Sequence, residues 1–330
     1  MLATRFLPQL LFTTAMLFGF RSSPATEGSV LVANQADSTA SLIDLATGTV
    51  TTLRVGAGPH ETAIDPTGHW GLVTVYGIRG APGNQLAVID IEKRAVARII
   101  TLGTYTRPHG AKFLPGRATL AILTSETTGN AVIVDYVAGK VIDTIPTHGR
   151  TSHMIALTSD GKRGFTANIA DGAISELNLD KRAFVRQLSV APQTEGIAAA
   201  PDGSTVWVGS NQAGTVSVVE TRGWTVEKAI PGFGAAYRLG MTPDGRTVLA
   251  CDPQQGVVRV LDVGTRSLVG AIAIEGFPEG VYIAPDSRTA FVTLNQGNAV
   301  GVIDVVDRKV LRTIPVGHAP DGVSWGPPIH

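Results

Sequence analysis

The 330-residue sequence contains a single cysteine, Cys251. A lone thiol excludes an intramolecular disulfide framework and any zinc cluster built on cysteine. Aromatic residues make up 6% of the chain and charged residues 16%, the latter well below the roughly 25% of an average soluble domain. Twenty-seven basic residues are matched by 27 acidic ones. The sequence therefore lacks the positive surplus that counterion release demands of a nucleic-acid binder, and no nucleic-acid partner is expected. No long segment repeats its apolar residues with the period of a helix, and there is no phosphate-cradling glycine loop or dinucleotide fingerprint. Glycine (38) and proline (19) are plentiful but follow no every-third-residue rule, which excludes collagen. At 44% hydrophobic, the chain is too apolar to be disordered.

The first residues read as an address. Arg5 precedes an apolar stretch from Phe6 to Phe20, followed by Ser22, Ser23 and Ala25. That order of charge, apolar core and small residues is a secretory signal peptide. The stretch is shorter than the roughly 20 residues of a membrane span, so no stable anchor is expected. The expected organisation is a signal peptide at 1–25 and one domain at 26–330, with the mature protein periplasmic or secreted.

The remainder is one motif repeated. Asp160-Gly161, Asp202-Gly203, Asp244-Gly245 and Asp286-Ser287 recur at intervals of 42 residues. A second marker closes an apolar strand at Asp44, Asp90, Asp135, Asn178, Glu220, Asp262 and Asp304, giving seven repeats. Each repeat holds short segments rich in Val, Ile and Thr with tight turns between them, and Asp-Gly suits such turns because it tolerates positive φ. Four strands in a repeat of just over 40 residues make a propeller blade. The chain opens at Val30–Asn34 with what is elsewhere a second strand and finishes at Asp321–Trp325 with a first strand. The predicted fold is all-β: a seven-bladed β-propeller with four antiparallel strands per blade, the first blade closed by both ends of the chain.

The Thr242-Pro243-Asp244-Gly245 turn and its near copies in the same frame, and strands such as Leu31-Val32-Ala33-Asn34, Phe165-Thr166-Ala167-Asn168 and Phe291-Val292-Thr293-Leu294, carry a resemblance to the YVTN-type seven-bladed propellers over the whole mature chain. The resemblance implies a secreted or surface protein with a lactonase-like architecture. Propeller lactonases hold a metal at the channel mouth with Glu, Asn and Asp, parts that Asn168, Glu195 and Asp321 can play here. The known gluconolactonase-type enzymes differ in having six blades and no comparable run of histidines.

Residues that build blades should recur between repeats, whereas residues that do chemistry should not. At the start of the first strand of each blade, one position reads His60, His109, His153, Glu195, Tyr237, Glu279 and Asp321 around the ring. Imidazole with carboxylate suits Zn, Cu, Ni or Fe, and carboxylate also suits Ca. His60, His109, His153, Glu195 and Asp321 are the expected ligands of a divalent metal. His109, His153, Glu195 and Glu279 are the expected catalytic acids and bases. Arg79, Arg107, Glu126, Arg150, Asn168, Tyr237 and Arg238 are expected around a small-molecule ligand, with arginine pairing an anionic or carbonyl-bearing group. Tyr76 and Asn211 fall on loops of the same face. Two functional readings stand: a metal-dependent hydrolase or lyase acting on a small ester, lactone or carboxylate-bearing compound, and a non-catalytic metal- or ligand-binding module or docking scaffold for a protein partner. A ring that merely satisfies backbone groups and water in a wet channel is the structural alternative. Two features are set aside. Gly322-Val323-Ser324-Trp325-Gly326 copies a serine-hydrolase motif but lies in a closing strand, and Cys251 sits on an apolar strand as a small core residue.

Overall fold

The computed structural model describes residues 25–329. The expected signal segment, Ala25 excepted, lies outside the described residues. Seven four-stranded antiparallel sheets form a closed ring, a seven-bladed β-propeller. The innermost strands, in blade order one to seven, are Pro320–Gly326, Pro59–Ile64, Pro108–Phe113, Ser152–Leu157, Thr194–Ala199, Leu239–Met241 and Pro278–Ile283. Each neighbours the next around a central channel, and the seventh returns to the first. In blade one, Ser29–Asn34 pairs with Pro320–Gly326, with partners such as Val30 and Trp325, so the two ends of the described chain share one sheet. No helix among the described residues is long and apolar enough to cross a membrane.

The core is divided. Seven apolar clusters each lie between two adjacent blades. Second and third strands are apolar on both faces because both faces meet a neighbouring blade, as in Leu120–Ser125 and Asn130–Asp135. Outermost strands such as Lys140–Pro146 alternate between exposed and covered residues, the pattern of a half-solvated edge. Trp207 is fully buried between blades five and six, and Cys251 between blades six and seven.

Two blades depart from the common pattern. In blade two the segment from Gly77 to Gln85 is mostly strand: Trp70–Ile78 and Ala81–Asp90 pair to their ends, leaving a tight turn at Arg79 and Gly80. The innermost strand of blade six is regular only over Leu239–Met241. The approach from Gly232 to Ala236 is held off the ladder, because the Asp252 carboxylate accepts hydrogen bonds from the amides of Gly234 and Ala235 at 3.1 Å.

Candidate metal and substrate site at the channel mouth

Innermost strands of neighbouring blades must come very close for seven of them to surround so narrow a channel. A Cβ on Gly110 would lie 2.8 Å from the Ile155 amide nitrogen, and one on Gly322 would lie 2.5 Å from the His60 carbonyl. The glycine that follows the mouth residue in several blades therefore reflects sterics. Its absence at Glu61, Met154 and Arg238 marks blades two, four and six as different.

Arg238 occupies the middle of the channel. Its side chain donates to Glu61 Oε1 from Nε at 3.0 Å and from Nη2 at 2.9 Å. Nη1 donates to Glu195 Oε1 at 2.9 Å and faces His153 Nε2 at 2.9 Å, while Nη2 lies 3.5 Å from Asp321 Oδ1. Four other blades around the ring are thus tied to one guanidinium. Sequence reasoning placed Arg238 among ligand-binding residues; the structure commits its donors to protein partners instead. The Tyr237 ring lies against the guanidinium, 5.1 Å from centroid to Cζ.

The histidines pack together. The ring centroids of His109 and His153 are 3.7 Å apart, and His60 meets His109 edge-on at 5.2 Å. His153 donates from Nδ1 to Glu126 Oε1, and the Tyr76 hydroxyl donates to Glu126 Oε2 at 2.5 Å. Burial and the guanidinium favour a neutral His153, but hydrogen bonds to Glu126 and Glu195 outweigh them and raise its pKa above the usual histidine value. Nε2 lies between Arg238 Nη1 at 2.9 Å, which bonds it only when it carries a lone pair, and Glu195 Oε1 at 3.4 Å, which bonds it only when it carries a proton. Burial also drives the His109 pKa well below the usual histidine value, and that of His60 downward. Tyr76 is pushed up to about 12 by burial and by Glu126.

His109, Glu126 and His153 form a group that could hold a metal ion: one ligand atom from each lies within 4.8 Å of the others. The donor set fits. Two imidazoles and a carboxylate are common ligands of divalent first-row metals. His109 Nδ1 is buried without a hydrogen-bond partner among the described residues, and the proton shared by His153 and Glu126 is one that a cation would displace. Glu126, read from sequence as a ligand-binding residue, is the carboxylate of this group.

The other expected ligands are placed differently. His60 donates from Nδ1 to the Gly58 carbonyl at 3.0 Å, accepts from the Gln35 amide at Nε2 at 2.9 Å, and stacks on Tyr76 at 4.0 Å. Glu195 is held by Arg238 and by the Asn211 amide, and against the pull of burial its pKa falls to about 2 through His153 and Arg238. Asp321 also faces Arg238, with His60 at 3.9 Å. Burial pushes Asp321 up to about 7 and Glu279 up to about 8, the latter helped by Asp321. Glu279 Oε2 has no partner among the described residues. Asn168 lies away from the mouth group: it is buried within blade four, donating to Ser175 at 2.8 Å and accepting from Ser152 at 2.8 Å.

Beside the His109–Glu126–His153 group, a pocket of about 420 Å³ is lined by Arg107, Glu126, Thr127, Thr128 and Arg150 among others. Glu126 belongs to both. The Arg107 guanidinium lies over the Tyr76 ring at 4.7 Å and makes no ion pair among the described residues. Arg150 is mostly exposed and pairs with Asp171 at 2.6 Å. Arg79 sits exposed on the hairpin turn, lining neither this pocket nor the metal group. Of the groups that shape the site, sequence reasoning did not single out Glu61, whose place beside the mouth histidine gave no cue that it meets an arginine from blade six.

No family model and no curated protein matches the chain. Solved structures do resemble it. The Kuenenia stuttgartiensis hydrazine synthase is 17% identical, with a TM-score of 0.74 over 84% of this chain and 92% of that one. A protein of unknown function from Desulfotomaculum acetoxidans DSM 771 is 16% identical, with a TM-score of 0.77 over 92% of this chain and 100% of that one. At these identities the likeness is one of fold: the chain is similar to propeller proteins.

Proposed function

We propose that this protein is an exported, metal-dependent hydrolase or lyase of the YVTN-type propeller class, acting on a small ester, lactone or carboxylate-bearing carbonyl compound. The observation that carries the reading is the His109–Glu126–His153 group opening beside the arginine-lined pocket. A divalent ion on three protein ligands keeps a position open for water and lowers the pKa of that water. Arg107, the member of the pocket without a carboxylate partner, orients an anionic or carbonyl group of the substrate. Tyr76 fixes the Glu126 carboxylate, as outer-shell donors do in metal sites. Export is supported by the Arg5-to-Ala25 sequence pattern.

Elemental analysis of purified protein beside a His109→Ala, His153→Ala double variant tests the centre. One equivalent of a transition metal, lost in a variant that keeps its β-sheet circular dichroism, supports the reading and opens a screen of esters and lactones. No uptake of Zn, Cu, Ni, Fe, Mn or Ca by the wild type overturns it. The non-catalytic reading is favoured by one observation, the saturation of Arg238 by protein partners, and is chosen if metal binds while no ester or lactone turns over.

A further inference from the structure

Beyond the layer of Glu61 and Arg238 the channel continues as a cavity of about 350 Å³, to which all seven innermost strands contribute. Three residues after the mouth position, the repeat places Ala63, Ala156, Ala198, Gly240 and Ser324 in five blades, but Lys112 and Tyr282 in the other two. A small residue satisfies the blade at this position, so the two long polar side chains serve some other purpose. Both line the cavity. Among the described residues, neither the Lys112 ammonium nor the Tyr282 hydroxyl has a hydrogen-bond or ion-pair partner. The nearest acid on this wall, Glu61, is taken up by Arg238. The rest of the lining includes Phe113, Met154, Leu157, Met241 and Ile283. Lys112 is half-buried beside this wall with no direct partner, and burial pushes its pKa down although the charge of Glu61 acts the other way. An anion brought by a ligand offsets the burial penalty on its charged form. The volume lies within the range of about 300–1,000 Å³ typical of small-molecule sites.

We propose that this cavity is a second small-molecule site, separate from the mouth, which takes a monocarboxylate with an apolar body: the carboxylate meets Lys112, and the body packs on the apolar wall. The inference does not depend on the metal centre.

Titration calorimetry with 4-phenylbutyrate as the probe, and 4-phenylbutanol as its uncharged counterpart, tests it. The wild type should bind one equivalent of the acid and hold the alcohol at least about tenfold more weakly, since the charge-assisted contact is lost. Lys112→Met, which keeps the apolar stem, should bind the acid about tenfold more weakly, while an Arg107→Ala, Arg150→Ala variant should match the wild type. No saturable binding of the acid, equal affinity in Lys112→Met, or a loss confined to the arginine variant would each overturn the proposal. Should Lys112→Met misfold, labelling of wild-type lysines by trinitrobenzenesulfonate supplies the decision. Selective protection of Lys112 by 4-phenylbutyrate supports the site, and unprotected labelling refutes it.

Discussion

Arg238 faces Glu61, Glu195 and Asp321, and all four side chains are buried. Removing one partner of a buried charged network leaves the others uncompensated, which typically costs about 3–5 kcal/mol. Arg238→Met should lower unfolding free energy by about that amount at pH 7.5, and by less at pH 5, where the orphaned carboxylates take up protons; urea denaturation at the two pH values measures both. Tyr76→Phe is a milder change. It removes the hydroxyl that steadies Glu126, so metal affinity should fall by about tenfold, as read by competition with a chromophoric chelator, while the melting temperature changes little. At this scale the sequence was informative where a residue broke the repeat. His60, His109 and His153 stand out because the aligned position holds a different residue type in the other four blades. The pairing of Glu126 with His153 crosses from the end of one blade's second strand to the first strand of the next, a contact that no spacing encodes. Lys112 went unnoticed because its neighbours in the alignment are small residues at an unremarkable strand position.

Strands and turns were far more legible than contacts. Regular intervals between Asp-Gly turns and strand-closing acids locate the blades, because every blade needs the same turn chemistry at the same place. Departures arose where a side chain remote in sequence intervenes. Blade six loses the start of its inner strand to Asp252, which binds the amides of Gly234 and Ala235 and also accepts from Arg259 Nε at 3.2 Å. Asp252→Ala should therefore cost about 1–3 kcal/mol, the penalty of stranding buried donors. The accompanying gain in hydrogen-exchange rate should concentrate at residues 233–238. The extended hairpin ending at Arg79 and Gly80 is the opposite case, since a glycine-rich stretch that reads as loop pairs by continuing the register of its parent strands.

For the molecule as a whole, raised carboxylic acids set the pH profile. Glu279 at about 8 and Asp321 at about 7 hold protons in the folded state that the unfolded chain releases near pH 4. Their contribution is complete below that range and is lost as pH rises through 7 and 8. Buried His109 and His60, with lowered pKa values, act the other way only up to the ordinary histidine value, so the melting temperature of chelator-treated protein should fall between pH 7 and pH 8. Glu279→Gln should flatten that slope and melt above the wild type at pH 8; an equally steep profile in the variant would remove Glu279 as the cause.

The pairing of Ser29–Asn34 with Pro320–Gly326 carries a further consequence. A ring whose seam lies inside one sheet has no privileged starting blade. Joining residue 329 to residue 25 through a short linker and reopening the chain at the exposed turn of Asp307 and Arg308 should give a circular permutant with the same architecture, since chain ends are best tolerated at such turns. His109 and His153 belong to blades three and four, away from that seam, and His60 meets Gln35 and Asp321 of blade one through contacts that the permutation leaves in place. Their imidazole stack should survive the rewiring, so the order in which blades leave the ribosome and the chemistry at the mouth can be varied independently.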